Sequence, residues 1–323
     1  MKKILYLNPA MSSLNIGDKI IEDGCKTYLN DIFSNDFIVE FSTHLPLNNL
    51  YFNFIGNIDY KFVLGSNLLV PKLNQRFRQW DINIFNVKKL SPVILMGVGW
   101  QQYSKKVNFY TKKIYKSLFA TSYMHSVRDE YTKENLNKIG ITNVINTGCP
   151  TMWKFTPDFC KKISCKKGKD VVFTLTDYSM SETFDKKLIN ILKNNYEKVY
   201  FWPQGIGDYE YFKNNFDDGK IEIVNCTLSD YDKLLADNKD LDFVGTRLHG
   251  GIRAMQFMHR SIIVAIDNRA KEIHKDYNIP IIERENIDNL EKLINSEFET
   301  KINIPIDNIK KWLAQFEDNK NNE

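Results

Sequence analysis

Short apolar runs of strand length alternate along this chain with longer runs that are apolar on one side only. The stretches 3–7, 37–41, 61–64, 92–97, 124–127 and 144–146 are nearly continuous in apolar residues, as strands covered on both faces are. Between them, 18–30, 109–120 and 131–139 place apolar residues at helical spacing. The pattern then restarts, with strands predicted at 171–175, 198–202, 221–224, 243–245 and 262–266 and helices at 184–194, 208–215, 229–236 and 251–258. A last helix is predicted at 306–316, ahead of a polar tail. Such alternation predicts the α/β class: two Rossmann-like, doubly wound domains with parallel sheets facing a cleft, and ligands at the carboxyl ends of the strands.

A chain of 323 residues is longer than one core usually supports, which agrees with two domains. Residues 154–169 are rich in lysine, contain Pro157 and lack periodicity, so they read as the linker. The expected domains are 1–165 and 166–323, with the 306–316 helix a candidate to pack back on the first.

Composition removes several classes of function. A net charge of +4 with scattered lysines argues against a nucleic-acid groove. Five dispersed cysteines form no CxxC pair, which suits a reducing compartment better than a disulfide framework or a zinc site. The apolar opening run is broken by Asn8-Pro9, too early for a signal peptide, and no stretch approaches a membrane span. The expectation is a cytoplasmic protein.

Five motifs carry candidate chemistry. Asn15-Ile16-Gly17-Asp18 stands between the first strand and its helix, where Gly17 permits close approach of a ligand to backbone N–H groups and Asp18 is the natural N-cap. Gly97-Val98-Gly99-Trp100-Gln101 ends an apolar strand, and Trp100 there is either a platform for a sugar ring or a buried turn residue. Arg128 follows the 124–127 strand, with Asp129 or Glu130 as an ordinary partner. Cys149, in Thr147-Gly148-Cys149-Pro150, has no histidine near it in sequence and reads as a packed thiol.

The fifth motif, Thr246-Arg247-Leu248-His249-Gly250-Gly251-Ile252-Arg253, is the most informative. A strand running into glycines at a helix start exposes backbone N–H groups and the positive end of a dipole. Two arginines add fixed positive charge, and His249 can move a proton near neutral pH. Asp267-Asn268-Arg269 closes the next strand beside it. The remaining histidines, His44, His125, His259 and His274, lack such company and read as ordinary surface or core residues.

Taken in order, "NIGD", "LMGVGW", "SVRDEYT", "TGCPTMW", "VGTRLHGGIRA" and "AIDNRA" resemble the polysaccharide pyruvyl transferases. Where such proteins often carry two or three glycines at a strand end of the first domain, this chain has the single glycine of Val63-Leu64-Gly65-Ser66-Asn67. The resemblance implies a GT-B-like pair of domains. It also implies transfer of the three-carbon unit of phosphoenolpyruvate onto a sugar of a capsule, wall polymer or exopolysaccharide, as a pyruvate ketal. By that similarity Arg128 and Arg247 hold the carboxylate and phosphate, Leu248, Gly250 and Gly251 complete the seat, and Arg253 supports it. His249 is the proton-transferring catalyst, and Asn15, Gly17, Asp18, Trp100, Gln101, Asp267 and Arg269 are candidates for gripping the acceptor. No cofactor is implied, and no carboxylate cluster argues for a tightly held metal, which leaves assistance by Mg²⁺ open. The expected partners are phosphoenolpyruvate and a sugar, nucleotide-sugar or lipid-linked acceptor, the last reached by peripheral contact with a membrane. Two alternatives use the same residues: a GT-B-type glycosyltransferase with a nucleotide sugar, and a non-catalytic glycan- or anion-binding relative.

Overall fold

Alternate residues of the first strand feed two different cores. Leu5 and Leu7 pack with Val63 and Leu95 on one side, while Ile4 and Tyr6 pack with Phe62 and Met96 on the other. That is why the opening run is apolar at every position: a period of two with both faces covered leaves no solvent side. The computed structural model of the protein describes residues 1–46, 49–75, 78–103 and 106–317. In it the chain falls into two compact units, Met1–Ser13 with Ile21–Trp153 and Ile304–Glu323, and Leu14–Ile20 with Lys154–Asn303.

The first unit holds β1 (Lys3–Asn8), β2 (Phe37–Ser42), β3 (Tyr60–Leu64), β4 (Ile94–Met96), β5 (His125–Val127) and β6 (Val144–Asn146). A parallel sheet of order β2-β1-β3-β4 is joined to the parallel pair β5-β6 by a bridge between Val98 and Val127. Helix starts are set by side chains that accept the first free N–H groups: Asn108 caps at Thr111 and Asp129 caps at Thr132. The terminal helix Ile306–Ala314 lies in this unit, where Ile309, Trp312 and Phe316 join the core of Ile4, Tyr6 and Phe62. Trp312 also donates its indole N–H to the Met124 carbonyl at 2.9 Å.

The second unit is a single six-stranded sheet built from β7 (Asp170–Thr174), β8 (Val199–Phe201), β9 (Glu222–Ile223), β10 (Leu241–Gly245), β11 (Ser261–Ala265) and β12 (Ile281–Glu283). All pairings are parallel, in the order β12-β11-β10-β7-β8-β9. Strand order reverses between β10 and β7, the switch point at which open α/β sheets bind ligands. The backbone closes tightly there. Thr246 N–H donates to the Thr174 carbonyl at 3.1 Å, and a side chain on Gly245 would meet the Thr174 amide nitrogen at 2.6 Å.

The α/β class with parallel sheets is what the alternation predicts. Six α-helices and strands were not among the expected ones: the helices Asn49–Ile55, Val87–Leu90, Pro157–Cys160, Asn268–Tyr277 and Leu290–Ile294, and β12. Asn268–Tyr277 buries only one narrow stripe including Ala270, Ile273 and Tyr277, and β12 has three residues following a proline, so their periodicity is weak. Residues 154–169 carry the short helix Pro157–Cys160, capped by Thr156, and belong to the second unit, so the chain passes between units at Trp153–Lys154. The helix expected at 251–258 starts earlier, at Leu248, which puts both glycines inside its first turns. Gly251 belongs there because a Cβ would lie 2.7 Å from Ile263 Cγ1 and 2.9 Å from the Phe243 ring.

Candidate active site

The carboxyl ends of β7, β8, β10 and β11 bring together a polar cluster within the second unit. Its centre is Arg247, the residue before the helix Leu248–Gln256, which is 7% exposed. Its Nε donates to Asp208 Oδ2 at 2.9 Å, and its Nη2 donates to Asp208 Oδ1 and to Asp177 Oδ1, the latter at 3.0 Å. Asp208 is fully buried and also accepts from the backbone N–H groups of Asp177 and Gln204, at 3.0 and 3.1 Å. Burial pushes the Asp208 carboxyl above its ordinary range even though Arg247 pulls the other way. Burial also opposes the charge on Arg247, but Asp208, Tyr178 and Asp177 together hold that guanidinium above its usual pKa. A guanidinium does not deprotonate in proteins, so Asp208 is its counter-charge near neutral pH.

Tyr178 extends the cluster. Its ring lies 5.0 Å from the guanidinium carbon of Arg247 and 5.2 Å from that of Arg269, so a cation covers it twice. Its hydroxyl bonds to Asp267 Oδ2 at 3.2 Å and to Arg269. Asp267 caps the helix Asn268–Tyr277 through the Arg269 N–H and pairs with the Arg269 side chain. Burial works against the Asp267 charge, yet Arg269 holds its carboxyl below the ordinary range. Arg269 is in turn raised by Tyr178, Asp267 and Asp18, against the effect of burial. Asp18 arrives from the other end of the chain, because Leu14–Ile20 belongs to this unit.

The helix after Arg247 has no side-chain cap, so its first turn presents amides without intrahelical partners. His249 and Gly250 lie in that turn, both buried. The helix starting at Gly17 is different. Its first N–H groups are taken by Asn15 Oδ1 at 3.0 Å, the Asn15 carbonyl at 3.1 Å and the Ile16 carbonyl at 3.0 Å. Capping therefore falls to Asn15 rather than to Asp18, which stands inside the first turn, and this helix start is closed to a ligand.

The other expected residues fall elsewhere. Arg253 sits on another side of its helix, bidentate to Asp232 at 2.7 and 2.6 Å. Arg128 is in the first unit and 2% exposed; its Nε donates to Asp129 at 3.0 Å and its Nη2 to Asn67 at 2.9 Å. A Cβ on Gly99 would overlap that guanidinium, which explains the second glycine of Gly97-Val98-Gly99. Trp100 is 1% exposed, set edge-on to Tyr115 in the core, so it offers no face to a sugar. Gln101 is half-buried and engages Leu69 and Asn67 through its backbone. Asp177, Tyr178, Gln204 and Asp208 were absent from the expected set, although Asp177 and Tyr178 follow the end of β7 by three and four residues and Gln204 follows the end of β8 by three, where ligands of open α/β sheets are met. Among the described residues no group of His, Cys, Asp and Glu is placed to hold a metal, and no helix is long and apolar enough to cross a membrane.

Comparison with known proteins adds a family and a fold. The family model described as polysaccharide pyruvyl transferase matches residues 15–268. No curated protein matches the chain in sequence. Among solved structures, the S. aureus MnaA–UDP co-structure is similar at 11% identity and a TM-score of 0.57, over 97% of each chain. The UDP-GlcNAc 2-epimerase of Methanocaldococcus jannaschii, in complex with UDP-GlcNAc and UDP, gives 12% and 0.57 over 97% of this chain and 99% of its own. The UDP-N-acetylglucosamine 2-epimerase from Rickettsia bellii gives 12% and 0.55 over 98% and 94%. At such identity the likeness is one of fold.

Proposed function

The chain belongs to the polysaccharide pyruvyl transferase family, and from that premise we propose that it moves the three-carbon unit of phosphoenolpyruvate onto a sugar of a cell-surface polysaccharide or its precursor. Two neighbouring sugar hydroxyls form C–O bonds to the central carbon of the donor. One hydroxyl proton ends on the methylene carbon, making it a methyl group. The bond from the central carbon to the phosphate oxygen breaks, and inorganic phosphate leaves with the other proton. The product is a pyruvate ketal.

One observation carries this reading: at the switch point of the second sheet, a buried arginine and an uncapped helix start adjoin a histidine in the first helical turn. Asp208 and Asp177 fix Nε and Nη2 of Arg247, and no hydrogen bond among the described residues engages Nη1. That edge and the helix amides form a seat for an oxyanion of the donor. A charge-assisted hydrogen bond contributes about 1.5–3 kcal/mol and a helix dipole about 0.3–1 kcal/mol, so the arginine supplies the larger share. His249 is the group that takes or gives the proton. The seat is built from the second unit alone; Arg128 has its own partners in the first.

The solved neighbours that hold UDP motivate a second reading, a glycosyltransferase that uses a nucleotide sugar. One assay separates the two. The protein is incubated with phosphoenolpyruvate and a panel of free, nucleotide-linked and lipid-linked sugars. Phosphate release matched by a ketal methyl resonance is the expected result, whereas consumption of a nucleotide sugar without phosphate release assigns glycosyl transfer.

A further inference from the structure

Gln204 follows β8 by three residues and is 1% exposed. Its backbone is held at both ends: its N–H donates to Asp208 Oδ2 at 3.1 Å, and its carbonyl accepts from Ile16 N–H at 2.8 Å. Its carboxamide is different. Nε2 is buried with no hydrogen-bond partner among the described residues. Leaving a buried donor unsatisfied is costly, and such a group in a folded protein calls for an explanation.

The space around the carboxamide is made by two glycines far apart in sequence. A Cβ on Gly250 would lie 2.7 Å from Nε2, and a Cβ on Gly17 would lie 2.9 Å from Oε1. Gly250 is the third residue of the nine-residue helix Leu248–Gln256. Side-chain directions tilt toward a helix's N-terminus, so a group filling the Cβ position of Gly250 lies at the mouth of that helix. The unpartnered donor therefore stands beside the uncapped first turn. At the end of the same strand, β8, Trp202 Nε1 is also buried without a hydrogen-bond partner among the described residues.

We propose that Gln204 is a ligand-binding residue whose Nε2–H donates to an oxyanion seated at the start of the helix Leu248–Gln256. A neutral donor suits this place, because it adds a hydrogen bond without adding a third cation beside Arg247 and Arg269. Assigning the oxyanion to the phosphate or carboxylate of phosphoenolpyruvate rests on the proposed function; the grip itself does not.

The test is calorimetric titration of the full chain with phosphoenolpyruvate, inorganic phosphate, pyruvate and UDP, repeated for Gln204→Met and Gln204→Glu. Methionine keeps the length and removes the donor. It is expected to weaken phosphoenolpyruvate binding about tenfold or more, with the unliganded melting temperature unchanged or raised. The glutamate variant, carrying a like charge, is expected to weaken it further. Loss of phosphate binding in Gln204→Met assigns the phosphate, and loss of pyruvate binding assigns the carboxylate. If both variants bind and turn over phosphoenolpyruvate like the wild type, the proposal fails and pyruvyl transfer stands. If the wild type binds UDP but not phosphoenolpyruvate, and Gln204→Met weakens UDP, the grip stands and the donor assignment fails. Failure of both variants to fold would overturn the proposal, by showing that the carboxamide holds the unit together.

Discussion

Arg247 and Asp208 meet fork to fork across 39 residues of sequence, with Nε on one carboxylate oxygen and Nη2 on the other. Both side chains are buried, at 7% and 0% exposure, so their charges depend on one another more than on water. This pair fixes where the guanidinium points, and no hydrogen bond among the described residues engages its Nη1.

Asp208→Asn is expected to destabilise the protein by about 3–5 kcal/mol, as removal of one partner of a buried pair does, toward the lower end because Asp177 still faces Arg247. Urea denaturation measures it. The double variant Asp208→Leu with Arg247→Met should recover part of the loss, since no buried charge is then left alone. Equal destabilisation of both variants would mean that the carboxylate acts through its backbone contacts instead.

His249→Ala is expected to lower the rate of phosphate release from phosphoenolpyruvate by about 10²–10⁴-fold while changing donor affinity far less. Single-turnover kinetics and calorimetry separate the two effects. A variant that loses binding in proportion to turnover would make His249 a ligand-holding residue and not a proton carrier.

His125 gives the stability a defined pH dependence. Its Nδ1 accepts from the Leu95 N–H at 3.2 Å while its Nε2 donates to the Ala120 carbonyl at 2.9 Å, an arrangement only the neutral ring can make. Burial lowers its pKa from 6.5 to about 4. Because the folded value lies below the unfolded one, the stability it contributes is complete above pH 6.5 and is lost as pH falls to 4. The loss over that window is about 3 kcal/mol. Denaturation midpoints between pH 7 and 4 should show it, and His125→Asn should flatten the profile; an unchanged slope in the variant would place the dependence elsewhere.

Gly99→Ala is expected to cost about 1–3 kcal/mol, since its methyl group overlaps the Arg128 guanidinium. In an Arg128→Ala background the penalty should shrink. A cycle of melting curves that finds the two changes additive would rule out this contact as the reason for the glycine.

How much of this was legible in the residues depended on whether a signal was local. β1, β4 and the strand before Arg247 are readable because burial on both faces writes itself into mostly apolar consecutive positions. The Arg247-to-Gly251 motif is readable because a strand end, a helix start and its glycines occupy one short stretch. Asp208 and Gln204 were not, because nothing beside them in sequence says that they face Arg247 and Gly250. Trp100 shows the opposite failure. A tryptophan after two glycines suits a platform or a core equally well, and only its packing against Tyr115 decides. Asp18 is not the cap because the helix already starts at Gly17, whose N–H is accepted by the Asn15 side chain.

The terminal helix has a consequence for how the chain must mature. Trp312 and Phe316 complete an aromatic cluster with Phe33, Phe62 and Trp153, so the first unit is closed by residues that are synthesised only after the second unit's 154–303 stretch. Residues 1–153 made alone would keep an oily face open to water, and an amino-terminal fragment cut at the unit boundary is an aggregation-prone intermediate rather than a free-standing module.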